Sequence, residues 1–147
     1  MKNNRNSEQY IAAYCKTNGL RFTDQRRDVY RIVNAAEQPI GAYDILEILS
    51  ENYDRPKATT VYRALDFLKE HHFIHKIESL NAFVVCSVDH EHPGSQFMIC
   101  NDCGVVDEVH LCHIPSDLKT KIDGQNFNMK YWNTEIHGVC NACHRKS

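Results

Sequence analysis

Residues 58 to 86 read "ATTVYRALDFLKEHHFIHKIESLNAFVVC", and a change of period inside this stretch decides the fold. In its first half Val61, Ala64, Leu65 and Leu68 recur at helical spacing. A helix starting near Thr59 therefore buries that stripe and turns Thr60, Tyr62, Arg63 and Asp66 outward. In its second half two short apolar arms flank a polar "ESLN", which predicts a hairpin. With a two-residue loop at Leu80 and Asn81, His75 falls opposite Cys86; a loop one residue longer shifts the pairing by a step. Phe73, His75 and Ile77 share one side of the first arm by alternation. Taken alone, a histidine on an apolar face and a small buried thiol are ordinary core residues.

Three further helices precede this stretch. Ser7 caps one that ends near Gly19, with Ile11, Tyr14 and Cys15 on one stripe. Thr23 caps a second, in which Val29, Ile32, Val33 and Ala36 repeat at i, i+3, i+4, i+7 before "EQPIG" stops it. A third runs from about Ala42 through Ile45, Ile48 and Leu49, and the short, proline-marked "NYDRPKA" leads into the helix of the opening stretch. Helix, turn, helix and hairpin is the order of a winged helix-turn-helix, whose last helix enters the major groove and whose hairpin is the wing. On this reading Tyr62 suits a phosphate and Arg63 the O6 and N7 of a guanine.

Charge agrees with that polarity. The net charge is -2, but residues 1–31 hold seven basic against three acidic side chains and residues 79–147 five against eight. A polyanion should approach the N-terminal part, so Thr60, Arg21 and Arg26 join Tyr62 and Arg63 as candidate DNA contacts.

After Cys86 the texture turns to short β-type runs, "FMIC", "VVDEV", "FNMKYW" and "TEIHGVC", with one helix near Pro115 to Ile122. The expectation is an α+β chain: a winged helix-turn-helix over residues 1–82, a hinge over 83–88 and a smaller α/β domain over 89–147. In a chain of 147 residues neither half buries a comfortable core without a metal or a partner chain. Seven cysteines make a metal plausible. "MKNNRNSEQY" has no apolar signal region, no run reaches membrane-span length and the cysteine count is odd, so we expect a cytoplasmic protein whose thiols bind metal rather than pair as cystines.

Two knuckles give the strongest chemical signal: "CNDCG", with Cys100 and Cys103, and "CNAC", with Cys140 and Cys143. Each pair can bite one ion, and together they close a tetrahedral four-thiolate zinc site with no open position. The strand-helix-strand between them must fold back to bring them together. The competing reading, a thiol-redox enzyme, is disfavoured by two C-x-x-C copies without a βαβ context. A second group of potential ligands comprises His75, Cys86, His90 and His92 in "DHEH", Glu108 in "VVDEV", and His110, Cys112 and His113 in "HLCH". Thiolate with imidazole and carboxylate suits zinc, whereas an iron site favours imidazole and carboxylate alone. Glu108 lies five residues beyond Cys103, so a structural zinc would fix its position better than that of Asp107.

"RFTDQRRDVYRIV", "ATTVYRALDFLKEHHFIHKIES", "CNDCG" and "HGVCNAC" together resemble the ferric uptake regulator superfamily of bacterial metal-dependent repressors, from about Leu20 to Cys143. "TVYRALDFL" followed by "FIHKIES", a cysteine ending the second wing strand, and the long "DHEHPGSQ" before "FMIC" are most similar to its zinc-responsive branch. The resemblance implies a homodimer of winged-helix domains joined through α/β dimerisation domains. It also implies about two zinc ions per chain: a structural one on Cys100, Cys103, Cys140 and Cys143, and a regulatory one on His75, Cys86, His92 and Glu108, with His90 as an alternative to His92. Iron and peroxide sensors of the superfamily usually carry a ligand histidine before the second knuckle, where "KYWNTE" has none. "HLCH" departs from the usual pattern, so His110, Cys112 and His113 form either an additional site or nothing. The implied function is a zinc-responsive repressor of zinc-uptake genes that acts on double-stranded operator DNA, with no enzymatic activity, no membrane and no small-molecule substrate other than metal. An iron- or manganese-responsive regulator is the rival within the superfamily.

Overall fold

The computed structural model describes residues 5, 7–88 and 94–147, and the chain divides into two compact units, Met1–His90 and Glu91–Ser147.

Local capping chemistry starts the first unit. The Ser7 side chain accepts the Tyr10 amide at 3.1 Å and opens α1 (Glu8–Thr17). Thr23 accepts the Arg26 amide at 3.3 Å and opens α2 (Asp24–Ala35). Each satisfies one of the amides that the first turn of a helix leaves without a partner. The chain leaves α1 through Gly19, which takes the left-handed conformation (φ 66°). Two further helices follow, α3 (Ala42–Leu49) and α4 (Ala58–Glu70). The stripe Val61, Ala64, Leu65 and Leu68 of α4 is buried as its spacing predicts, with Phe67 beside it. It packs into one core with Ile11, Val29, Tyr30, Val33, Ile45 and Leu49. Ile48 departs from expectation and is exposed on α3.

The hairpin forms, but in a different register. Strand β1 (Ile74–Ile77) pairs antiparallel with β2 (Ala82–Val85), and His75 faces Val84 rather than Cys86. The cause is the loop: Glu78–Leu80 make a single 3-10 turn closed by Asn81 in the left-handed region (φ 47°, ψ 46°). This takes two more residues out of the ladder than a two-residue turn would. An isolated bridge adds a rung the sequence did not reveal, with Ile40 and Phe83 exchanging amide-to-carbonyl bonds of 3.1 and 2.8 Å.

In the second unit β3 (Gly94–Cys100) lies between β4 (Val106–Glu108), antiparallel to it, and β5 (Trp132–Gly138), parallel to it. The parallel connection runs through α5 (Ser116–Gly124), and α6 (Asn141–His144) follows β5. Of "FNMKYW" only the last residue, Trp132, belongs to a strand. The ladder begins where Gly94 meets Trp132, while Asn126 at φ 52° and the Phe127 amide bonded to the Ile122 carbonyl keep residues 126–127 in the turn that ends α5. Phe97, Ile99 and Cys100 are buried, but α5 buries no side chain. Met98 and Ile136, paired across β3 and β5, are 47% and 54% exposed. Among the described residues no helix is long and apolar enough to cross a membrane.

Candidate functional site

The four knuckle cysteines converge. Cys100 ends β3, and the chain turns back at once: the Gly104 amide donates to the Cys100 carbonyl at 3.0 Å and the Cys100 amide to the Val105 carbonyl at 2.9 Å. That reversal holds Gly104 at φ 75°, where a side chain would be strained. The parallel partner β5 delivers the second knuckle, because the Asn101 amide donates to Gly138 at 2.8 Å and the Cys140 amide to the Cys100 sulfur at 3.2 Å. All four sulfurs lie within 4.8 Å of one another. The Cys103 and Cys140 sulfurs are 3.7 Å apart, too far for a disulfide and close to the edge of about 3.8 Å that four zinc-sulfur bonds of about 2.3 Å define in a tetrahedron. The site therefore fits zinc. β3 and β5 do have a parallel crossover between them, so it is this convergence of four sulfurs on one point that argues against a redox pair.

Electrostatics in the cluster are unequal. Backbone amides, that of Cys103 first and that of Cys140 next, draw the Cys100 thiol down to about 6. Hydrogen bonds to the Cys140 and Cys103 sulfurs push Cys143 up to about 12. One sulfur is thus poised as a thiolate while another keeps its proton until an ion displaces it.

A second pair of candidate ligands sits on the wing. The Cys86 amide donates to the Phe73 carbonyl at 3.1 Å, so Cys86 pairs with Phe73 and occupies the same face as His75, two pairs along. The His75 ring and the Cys86 sulfur offer ligand atoms within 4.8 Å of each other. Both residues are buried. Tyr30 of α2, which the sequence reading passed over, is fully buried, and its phenol is pushed up to about 12 by burial, then by Glu8 and Cys86. A wholly buried tyrosine within electrostatic reach of the thiol remains a neutral hydroxyl. Its only signal in the sequence was its place beside Val29 on the apolar stripe.

Helix α4 turns Tyr62, 45% exposed, and Arg63 outward, with Thr60 partly exposed near its start. Arg21 is also exposed. Arg26 is half-buried: its guanidinium lies 3.7 Å from the Phe67 ring centre and donates to the Arg21 carbonyl at 2.5 Å. Much of the remaining positive charge of α2 is paired internally, Arg31 gripping Glu8 through two bonds of 2.7 and 2.8 Å and Arg27 reaching the same carboxylate at 3.1 Å.

The ferric uptake regulator family model matches residues 17–143. The chain belongs to this family. The "Zinc uptake regulation protein" of Escherichia coli (strain K12) is 38% identical over 130 residues, 88% of this chain and 76% of that protein. A solved "Zinc Uptake Regulator Complexed With Zinc AND DNA" superposes with a TM-score of 0.86 at 35% identity, covering 94% of this chain and 93% of the other. The structure of "holo XcZur" gives 0.81 at 33% identity, covering 95% and 99%.

The other candidate ligands of this member of the ferric uptake regulator family are distributed as follows. Glu108 ends β4, partly buried, opposite Phe97. His90 and His92 lie outside the described residues. In "HLCH" the His110 Nε2 is 2.9 Å from the Cys112 sulfur, and His110, Cys112 and His113 are all exposed.

Proposed function

We propose that this chain is a zinc-responsive transcriptional repressor that binds operator DNA as a zinc-loaded homodimer in the cytoplasm and controls zinc-uptake genes. The observation that carries the choice of metal is the buried pair on the wing, a thiol and an imidazole within 4.8 Å. Soft sulfur beside nitrogen selects zinc over iron or manganese, which favour nitrogen and oxygen donors.

On this reading Cys100, Cys103, Cys140 and Cys143 hold a structural ion. His75 and Cys86 take the regulatory ion together with Glu108 and either His92 or His90, so that residues 83–88 act as a hinge between the winged helix (1–82) and the dimerisation domain (89–147). When bound there, zinc supplies a bridge that favours one relation of the two domains, and the shift equals its difference in affinity between the states. Tyr62 and Thr60 then contact phosphate, Arg63 reads a base edge, and Arg21 adds positive charge at the rim.

The second unit supports the homodimer. It is smaller than the size at which a core alone gives stability, buries no residue of α5, and leaves Met98, Ile136, Val139, Leu118 and Phe127 exposed. A second copy of the same sheet face and helix removes that surface from water.

The test is operator binding by wild type and Cys86→Ser across buffered free zinc, with bound metal counted in both. We expect wild type to bind DNA only as zinc rises and the variant to stay off DNA while keeping its structural ion. Equal zinc response in the two proteins overturns the reading.

A further inference from the structure

We propose that His110 and Cys112 form a third, solvent-exposed zinc site, separate from both the four-cysteine centre and the regulatory set. The segment leading from β4 to α5 is anchored on either side of His110 by one residue: the Val109 amide donates to the Gln96 backbone carbonyl at 2.7 Å, and the Leu111 amide to the Gln96 side-chain oxygen at 3.2 Å. Gln96 is buried on β3. A double tether to a buried strand residue fixes the backbone that presents the two ligands, which lowers the ordering cost of binding an ion.

His110 and Cys112 flank Leu111 where the chain bends after β4, and their Nε2 and Sγ atoms already lie 2.9 Å apart. A tetrahedral zinc with bonds of about 2.0 Å to nitrogen and 2.3 Å to sulfur needs them about 3.5 Å apart. Side-chain rotation in two exposed residues opens the gap by that amount without moving the tethered backbone. Thiolate with imidazole selects a borderline ion such as zinc and rejects calcium and magnesium, which take oxygen ligands. His113 follows in sequence and is exposed, available as a third ligand, and water completes the shell. With fewer protein ligands and full exposure, this site binds more weakly than four thiolates and fills last as free zinc rises.

The experiment is metal counting on the full-length dimer, freed by mild chelation of all but its tightly held structural ion and equilibrated over a series of buffered free-zinc levels. Wild type should take up one ion per chain more at the highest zinc than Cys112→Ser or His110→Gln, with the filling steps at lower zinc unchanged. Cys86→Ser should lose a different, earlier step, so the count separates this site from the regulatory one. In cobalt-loaded protein, the last equivalent should add thiolate-to-metal absorption in wild type and none in Cys112→Ser. Identical metal counts for wild type, Cys112→Ser and His110→Gln at every zinc level overturn the proposal.

Discussion

The Cys86 amide hydrogen-bonds the Phe73 carbonyl at 3.1 Å, and this places the Cys86 thiol on the same hairpin face as His75, displaced by two pairs. Both side chains are buried there, which a core pair also explains. The two accounts part on substitution. A core cysteine replaced by serine would destabilise the winged helix by about 1–3 kcal/mol through an unsatisfied hydroxyl and leave zinc response intact. A ligand replaced by serine would abolish response at zinc levels that saturate wild type, because moving a two-state population from 1:99 to 99:1 needs about 5.5 kcal/mol of differential affinity. We expect the second outcome for Cys86→Ser and an equal or lesser loss for His75→Gln and Glu108→Gln, measured as operator affinity against free zinc alongside the melting temperature.

Helix α4 yields an expectation about DNA. Arg63→Ala should weaken operator binding by about 1–3 kcal/mol and relax base preference at one position. Arg26→Ala should act otherwise. Its guanidinium lies over Phe67 and bonds the Arg21 carbonyl, so its loss should lower thermal stability, by about 0.5–2 kcal/mol for a cation-ring contact of this kind, while base preference stays as in wild type. Binding of a randomised operator pool by the two variants, with melting curves, separates the roles. Unchanged preference in Arg63→Ala would remove α4 as the reading helix.

The exposed Met98 and Ile136 pair tests the dimer. A carboxylate placed at Ile136 would have to be buried without a partner on assembly, at several kcal/mol; a loss of about 3 kcal/mol raises the dissociation constant roughly 100-fold. Ile136→Glu should therefore sediment as a monomer at concentrations where wild type is a dimer, and should lose operator binding with it. A dimeric Ile136→Glu would place the interface elsewhere.

What the sequence revealed follows from how local each signal is. The caps at Ser7 and Thr23 and the buried stripe of α4 depend on neighbours within a turn or two, and the structure has them where spacing put them. The hairpin register depended on whether Asn81 would enter the left-handed region after a 3-10 turn, a choice that several loops satisfy equally. The bridge from Ile40 to Phe83 joins residues far apart in sequence and left no pattern. In "FNMKYW" the strand-like composition misled because Asn126 in the left-handed region and the Phe127 amide bonded to Ile122 hold its start in the turn after α5, and only its last residue, Trp132, enters β5. The C-x-x-C spacings picked out the four cysteines that converge, but the parallel pairing of β3 with β5 that unites them is tertiary. Charge alone made Arg26 a candidate DNA contact, and nothing in the sequence announced that Phe67 would lie under its guanidinium.

The four-cysteine centre should announce itself through protons. Zinc binds thiolates, so loading the metal-free site releases whatever protons its sulfurs still carry. Cys100 is held down at about 6 by the amides around it, whereas Cys143, up at about 12, keeps its proton. Near pH 7.5 Cys100 has already ionised and contributes none; near pH 5 it is protonated and contributes one. The sign is that of a depressed acid: its readiness for metal is present above about 6 and lost as pH falls through that value. Titrating the first equivalent of zinc into stripped protein in weakly buffered solution should therefore release one proton more near pH 5 than near pH 7.5, and zinc affinity should fall more steeply with acidification below pH 6 than above it. Cys100→Ser should lose that extra proton and most of the affinity together. Cys103→Ser should forfeit much of a zinc contribution that in small zinc-finger peptides amounts to roughly 10–16 kcal/mol, leaving the second unit unfolded or the dimer dissociated, and should lose with the fold the amides that depress Cys100 and hence the pH dependence of the first proton. A proton count independent of pH, with Cys103→Ser still a folded dimer, would mean that the ion sits elsewhere.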